Sequence, residues 1–387
     1  MKTETRFLLE MIKNILNSAE TEMTAQGDAI DWKHLIQLAK SHSILHLIYY
    51  GLERIPTELR PDSETTQYLY QCAMREVVRS CNQTEGTEEL LRAFEKEEIY
   101  VMAVKGVCTK TRYPQAELRS MGDIDILYKA HQNDQVKRAM AGLGYILDAE
   151  GRKHDHYSRK PYLNMEMHRE LVATDSIYNT YYESVWDRAK QKEGFDFVYE
   201  MSLEDEYIYN IIHLVEHFQN GGVGIRFLMD VCIYNRMEDM DWDYVKREFE
   251  TLGLWDFYQN ISKLANVWFN PETKDVKEVD STLDQMERYI IMNGTFGSQK
   301  NQAAVSVSKE GKLAFLLKTV FPNLKNMQSM FPWLEKWPIL LPVSWGIRIV
   351  RSLLFRKDNV KAQLNKYQHG NAEYGKELEK FFEKCGL

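Results

Sequence analysis

The stretch Val101–Leu127, VMAVKGVCTKTRYPQAELRSMGDIDIL, constrains the fold more than any other part of this chain. It opens with an apolar run that ends at Lys105-Gly106 and crosses a polar segment. It then re-enters an apolar run in which acids alternate with isoleucines, Asp123-Ile124-Asp125-Ile126. Successive side chains of a strand point to opposite faces, so Asp123 and Asp125 share one face while Ile124 and Ile126 share the other. The apolar face anchors the backbone, and two like charges are held side by side. Such a pair is tolerated when something positive sits between or above it. Mg²⁺ suits the place, as a hard ion that takes oxygen ligands and arrives with substrate phosphates.

The rest of the composition sets outer bounds. With 387 residues, 44% hydrophobic and 27% charged, the chain is an ordinary globular protein that can bury a large core and divide into two or three subdomains. A formal charge of -8 argues against a protein that coats duplex nucleic acid, and leaves a small phosphorylated substrate open. Five scattered cysteines without a C-x-x-C pair suit reduced thiols in a cytoplasm. Glu4, Arg6, Glu10 and Lys13 interrupt the apolar N-terminus, so it lacks the core of a signal peptide, and no apolar stretch is long enough to span a bilayer.

Helical spacing governs residues 1–97: Phe7 to Leu16, a second run from Asp31-Trp32, and a charged helix from Leu59 to Glu98 after Pro56 and Pro61. This helical region reads as a brace or cap for the site. The period then changes through residues 98–200. Strands are expected at Ile99–Val104, Gly122–Tyr128 and Tyr145–Leu147, with a helix Gln132–Leu143 ended by Gly144. His154–Arg159 and Tyr162–His168 form a hairpin turned at Lys160-Pro161. In the second of these strands Asn164, Glu166 and His168 share one face, which offers a third acid to lie beside the Asp pair. The fold class is therefore α+β, a small mixed β-sheet core flanked by N-terminal and C-terminal helical regions.

Three carboxylates on neighbouring strands, after a strand, a glycine turn and a helix, fit the needs of nucleotidyl transfer. Two Mg²⁺ ions roughly 4 Å apart offset charge on the attacking and leaving oxygens. Gly106, without a Cβ, allows a phosphate close to the backbone. Catalysis then consists of positioning and electrostatics.

The residues Ala103-Val104-Lys105-Gly106, Tyr113-Pro114, Arg119, Gly122-Asp123-Ile124-Asp125-Ile126-Leu127 and Met165-Glu166-Met167-His168 resemble the nucleotidyltransferase superfamily of the polymerase β type. They are most similar to a largely uncharacterised bacterial branch of it. The motif-bearing part covers roughly residues 99–170, and a weaker helical resemblance extends to about residue 235. Lys105-Gly106-Val107 departs from the usual Gly-Gly or Gly-Ser. The resemblance implies Asp123, Asp125 and Glu166 as catalytic metal ligands, for Mg²⁺ with Mn²⁺ as the alternative, and Gly106 at the triphosphate of an NTP substrate. It also implies Arg226 on the nucleotide, with His168, His217 and Asp230 near the acceptor.

Each element has a plainer reading beside this one. An Asp-x-Asp also occurs on solvated strand faces and in sugar-nucleotide glycosyltransferases. Glu170 is the nearest rival of Glu166. Lys105, Arg112 and Arg119 bind triphosphate or are surface charges, and His154, His156 and His168 are residues of a polar face. Arg226 and Asp230, one turn apart, can form an intrahelical ion pair. The helix beginning at Ser202-Leu203-Glu204-Asp205 carries His213-Leu214-Val215-Glu216-His217, an H-x-x-E-H arrangement that could hold Zn²⁺ in a metalloprotease, although a third ligand is not assignable. A different class altogether is a non-catalytic nucleotide-binding or scaffold protein of the same fold. Residues 201–387 read as further helices, in which Phe331–Leu354 is a buried helical pair, with a membrane-surface segment as the alternative. Lys361–Lys384 is a charged helix or a frayed end.

Overall fold

Apolar residues at Phe7, Leu8, Met11, Ile12 and Ile15 recur at helical spacing and form α1 (Thr3–Leu16), which buries all five. The computed structural model describes residues 3–18, 30–173, 176–273, 281–295, 297, 301, 304, 320–355 and 372–387. Asp31 accepts from the His34 N–H at 3.0 Å and so caps α2 (Trp32–Ser41), and α3 (Leu45–Leu52) follows directly. Asp62 does the same for Thr65 at 2.7 Å and starts α4, which runs unbroken from Ser63 to Lys96.

The chain then builds a seven-stranded mixed sheet. In chain order come β1 (Val101–Val104), α5 (Gly106–Thr109), β2 (Ile124–Tyr128) and α6 (Asn133–Gly142). Strands β3 (Ile146–Ala149), β4 (His154–Arg159) and β5 (Leu163–His168) follow. After the short helices α7 (Asn179–Glu183) and α8 (Val185–Arg188) come β6 (Lys190–Gln191) and β7 (Val198–Glu200). The spatial order is β3-β4-β5-β2-β1-β7-β6. The β2 strand is antiparallel to β1 and parallel to β5, and the β4–β5 hairpin turns at Lys160-Pro161, a cis peptide.

Alternation gives the sheet two unlike faces. Val101, Ile124, Ile126, Met165 and Met167 are buried against Leu90 and Phe94 of α4 and Val136 and Met140 of α6. On the other face, Met102, Val104 and Leu127 join a larger core with helices from both ends of the chain. These include α1, α3, α9 (Leu203–Gln219), α10 (Ile225–Tyr234), α11 (Trp242–Thr251), α12 (Trp255–Phe269) and α13 (Ser281–Asn293). A row of polar side chains on that second face therefore lies between sheet and helices. The chain is thus α+β, a mixed sheet with helical regions before and after it.

Two buried histidines stitch the N-terminal helices to the rest. His42 accepts from the Ile225 N–H at Nδ1 (3.2 Å) and donates from Nε2 to the Ile291 carbonyl (3.3 Å), which fits the neutral Nε2–H tautomer alone. His46 Nε2 meets the Leu118 carbonyl at 3.3 Å. Burial pushes both rings down from 6.5 to about 4. Their folded pKa lies below the unfolded one, so the unfolded chain takes up protons first. Stability is complete above about pH 6.5 and falls as pH drops toward 4, by about 3 kcal/mol per ring. Guanidinium denaturation midpoints between pH 7 and 4.5 should fall accordingly. A His42→Gln/His46→Gln double variant with the same slope would assign the effect elsewhere.

The C-terminal part departs from expectation in one respect. Trp337, Ile339, Leu340, Val343, Ile347 and Val350, from the segment read as a buried helical pair, are exposed among the described residues. In the helix Leu341–Phe355, Val343, Ile347 and Val350 point outward, while Trp345 Nε1 donates to the Pro322 carbonyl and Arg348 to that of Val320. Ala372–Cys385 is a helix, while residues 361–371 of the expected tail lie outside the described residues. No helix among the described residues is long and apolar enough to cross a membrane.

Candidate active site

The parallel pairing of β2 and β5 brings distant acids together. Asp125 is in register with Glu166, and Leu127 with His168, so both β5 polar residues stand on the face that carries Asp125. Glu166, rather than Glu170, is the acid facing Asp125. Asp123 lies one residue before β2 and opens to solvent, with no hydrogen-bond or ion-pair partner among the described residues. Although the residue is exposed, the surrounding protein partly desolvates its carboxyl and raises its pKa, and the carboxylates of Asp125 and Glu166 raise it further, so the three acids share one field.

Lys105 answers that field. It leaves β1 at φ 57°, a left-handed conformation costing of order 1–3 kcal/mol for a residue with a side chain. Its carbonyl is fixed by the N–H groups of Cys108 (3.1 Å) and Thr109 (3.0 Å) and by the Thr109 hydroxyl (3.1 Å). The ammonium donates to Asp125 Oδ1 at 2.5 Å, and His168 Nε2 donates to the same oxygen at 2.8 Å. Burial works against both charges of the Lys105–Asp125 pair, and the pairing outweighs it. The lysine stays protonated, and Asp125 is held far below the usual carboxylate range. Both contacts fall on Oδ1, and no hydrogen bond engages Oδ2 among the described residues.

The cations expected at a triphosphate divide into two groups. Arg119 is buried and takes Asp230 in a two-pronged bond, Nε at 3.2 Å and Nη2 at 2.9 Å, while Tyr113 donates to the same carboxylate at 2.6 Å. Gly106 makes this possible, since a Cβ there would stand 2.5 Å from Arg119 Nη1 and 2.7 Å from Met121 Sδ. Arg119 and Lys105 are therefore not surface charges. The intrahelical pair expected between Arg226 and Asp230 does not form, because Asp230 is taken by Arg119. Arg226 instead donates Nη1 to the Ser120 carbonyl at 2.7 Å and keeps Nε sealed without a partner. Burial and the positive charge of Arg119 push its pKa down to about 10, and the field of Asp123 reaches it.

Helix α9, capped by Ser202 on the Asp205 N–H at 3.1 Å, supplies the opposite wall. His213 and His217 stack edge-on at 4.5 Å between ring centroids and pack on Phe227. Burial, with Lys105 adding, keeps both rings neutral, His217 at about 4. The H-x-x-E-H residues do not assemble as a zinc site. Among the described residues, the metal-competent group is His154, Glu166 and His168, whose ligand atoms lie within 4.8 Å of one another. One turn of helix sets the two α9 rings against each other and Phe227, not around a common point.

Lys153, just before β4, is a site residue that the sequence reading overlooked. Its half-buried side chain makes no hydrogen bond or ion pair among the described residues. Burial lowers its pKa, as does Lys105, while Glu216, Asp125 and Glu166 pull it up. The signal was the polar run Lys153-His154-Asp155-His156, which opens the strand that pairs with Glu166. A cavity of about 810 Å³ lies elsewhere, lined by Ala103, Cys108, Lys110, Arg112, Lys192 and Glu206 among others. Of the residues expected at the site only Arg112 lines it, and Arg112 is paired there with Glu206 at 3.1 Å.

The arrangement thus sets three coupled carboxylates against lysine, arginine and neutral imidazole, which suits a polyanion delivered with a divalent cation. No curated protein and no solved structure matches the chain. A family model described as an uncharacterised nucleotidyltransferase matches residues 28–270, a span that includes the whole sheet and helices α2 to α12. This chain belongs to that uncharacterised nucleotidyltransferase family.

Proposed function

We propose that the chain transfers a nucleoside monophosphate from a nucleoside triphosphate to an acceptor, with Mg²⁺ held by Asp123, Asp125 and Glu166. The observation that carries this reading is the register of Asp125 with Glu166 across parallel strands, two residues after the unpartnered Asp123. The donor set fits the ion: all three groups offer carboxylate oxygen, and Asp125 keeps Oδ2 free while Oδ1 is occupied. Bound Mg²⁺ would offset the charge that develops on the attacking and leaving oxygens. The remaining work is done by the chain. Lys153 binds phosphate oxygens with the positive charge of the Arg226 guanidinium in support, and Lys105 neutralises Asp125 so that the acids do not repel the substrate. His217 and His168, on facing walls, line the acceptor side. Arg119 and Asp230 serve as the clamp that holds Gly106 and α10 in place.

A second reading, a nucleotide-binding protein without turnover, is favoured by one fact: the Lys105 ammonium already sits on Asp125 where a cation would be expected. Thermal shifts separate these from a protein with no nucleotide at all. One of the four ribonucleoside triphosphates with Mg²⁺ should stabilise the wild type, by about 2.7 kcal/mol at 100 times its Kd. The shift should vanish without Mg²⁺ and in Asp123→Asn. No shift with any of the four would end both readings, and binding without pyrophosphate release would leave the second.

A further inference from the structure

We propose that His154, Glu166 and His168, with His156 beside them at the entrance, form a binding site for a transition-metal ion of the Zn²⁺ type. The β4–β5 register sets His154 opposite His168 and His156 opposite Glu166, so one face of the hairpin carries three imidazoles and a carboxylate. Their ligand atoms converge. Glu166 Oε2 lies 3.2 Å from His168 Nε2 and 3.7 Å from His154 Nε2, and His154 Nε2 lies 3.1 Å from His156 Nε2. His156 Nδ1 is 3.4 Å from Glu166 Oε1. Around an ion with bonds of about 2.0–2.1 Å, tetrahedral ligands stand about 3.3 Å apart, and the 3.2 and 3.7 Å from Glu166 Oε2 to His168 Nε2 and His154 Nε2 lie on either side of that value.

The surroundings direct the rings inward. Nδ1 of His154 and of His168 is sealed from solvent without a partner, which leaves Nε2 as the nitrogen through which each ring interacts. His168 is 1% exposed and cannot turn to water, while His156, at 47%, leaves the site an entrance. His168 Nε2 also donates to Asp125 Oδ1 at 2.8 Å, so ligation through Nε2 breaks that bond and leaves the ring proton on Nδ1.

The chemistry of this set differs from that of the Asp pair beside it. Mg²⁺ prefers oxygen and octahedral geometry, whereas imidazole suits Zn²⁺ and its neighbours, and two histidines with a glutamate are a catalytic zinc set. Glu166 belongs to both groups, so an oxygen site and a nitrogen-rich site share one carboxylate. Metal capture stands on the hairpin alone, and the use of that ion in the transfer rests on the function proposed above.

The test titrates the full chain, stripped with chelator, with Zn²⁺ and with Mg²⁺ by calorimetry. The wild type should take up one Zn²⁺ at least 100-fold more tightly than Mg²⁺. His154→Ala should weaken Zn²⁺ by more than tenfold, and the half-exposed His156→Ala, which leaves the fold untouched, by a smaller factor. Asp123→Asn should abolish the Mg²⁺-dependent nucleotide shift and keep Zn²⁺. Equal affinity for the two ions, or equal Zn²⁺ binding by the wild type and both histidine variants, would overturn the proposal. A wild type that binds Zn²⁺ in this pattern but no nucleotide would sink the transferase reading and leave the metal site standing.

Discussion

Replacing Asp123 by Asn is expected to lower nucleotidyl transfer about 10³-fold, equivalent to about 4 kcal/mol of barrier, without loss of stability. The reasoning is electrostatic. Asp123 has no partner among the described residues, and its pKa is raised by partial desolvation of its carboxyl and by the negative charges of Asp125 and Glu166. A group whose folded pKa lies above its unfolded one opposes folding when ionised, so removing its charge relieves the fold. What is lost is one acid of the proposed cation-binding set. Release of pyrophosphate from labelled triphosphate, measured beside a urea denaturation curve, reads both quantities at once. A variant with wild-type turnover would remove Asp123 from the mechanism. Asp125 cannot be tested as cleanly, because its loss leaves the Lys105 ammonium buried and unpaired.

Asp230→Ala should be the most destabilising single change near the site, at about 3–5 kcal/mol. Its carboxylate satisfies Arg119 through two bonds and Tyr113 through a third, all three side chains being buried. Without it, the Arg119 guanidinium is left in a low-dielectric pocket with Arg226 beside it. Equilibrium denaturation in guanidinium measures the loss. The double variant Arg119→Leu/Asp230→Leu should recover most of it, because an apolar pair leaves no charge to be desolvated. A single variant within about 1 kcal/mol of the wild type would show that the clamp is not a structural element.

Much of the fold was legible because the signals are local. Asp31 and Ser202 cap the helices that follow them, the hairpin turns where Lys160-Pro161 marked it, and the alternation of Asp123 to Ile126 places acids and isoleucines on opposite faces. Each depends on residues a few positions apart, within reach of backbone dihedrals and short hydrogen bonds. The exposed helix Leu341–Phe355 shows the limit. Its apolar spacing resembles that of a core helix, and burial depends on what stands opposite, which spacing does not record.

The sequence by itself determined the identity of the chemistry: which side chains are acids, which strand face carries them, and that a lysine and a glycine precede them. The tertiary structure decided who meets whom. Pairing of β2 with β5 joins acids forty-one positions apart, Asp125 and Glu166, and the crossing of α10 gives Asp230 to Arg119 in place of its helical neighbour Arg226. The reason is physical. A charge chooses the partner that burial brings to it in a low dielectric, where one well-placed bond outweighs many near ones in sequence, and that choice is made by the packing of whole elements.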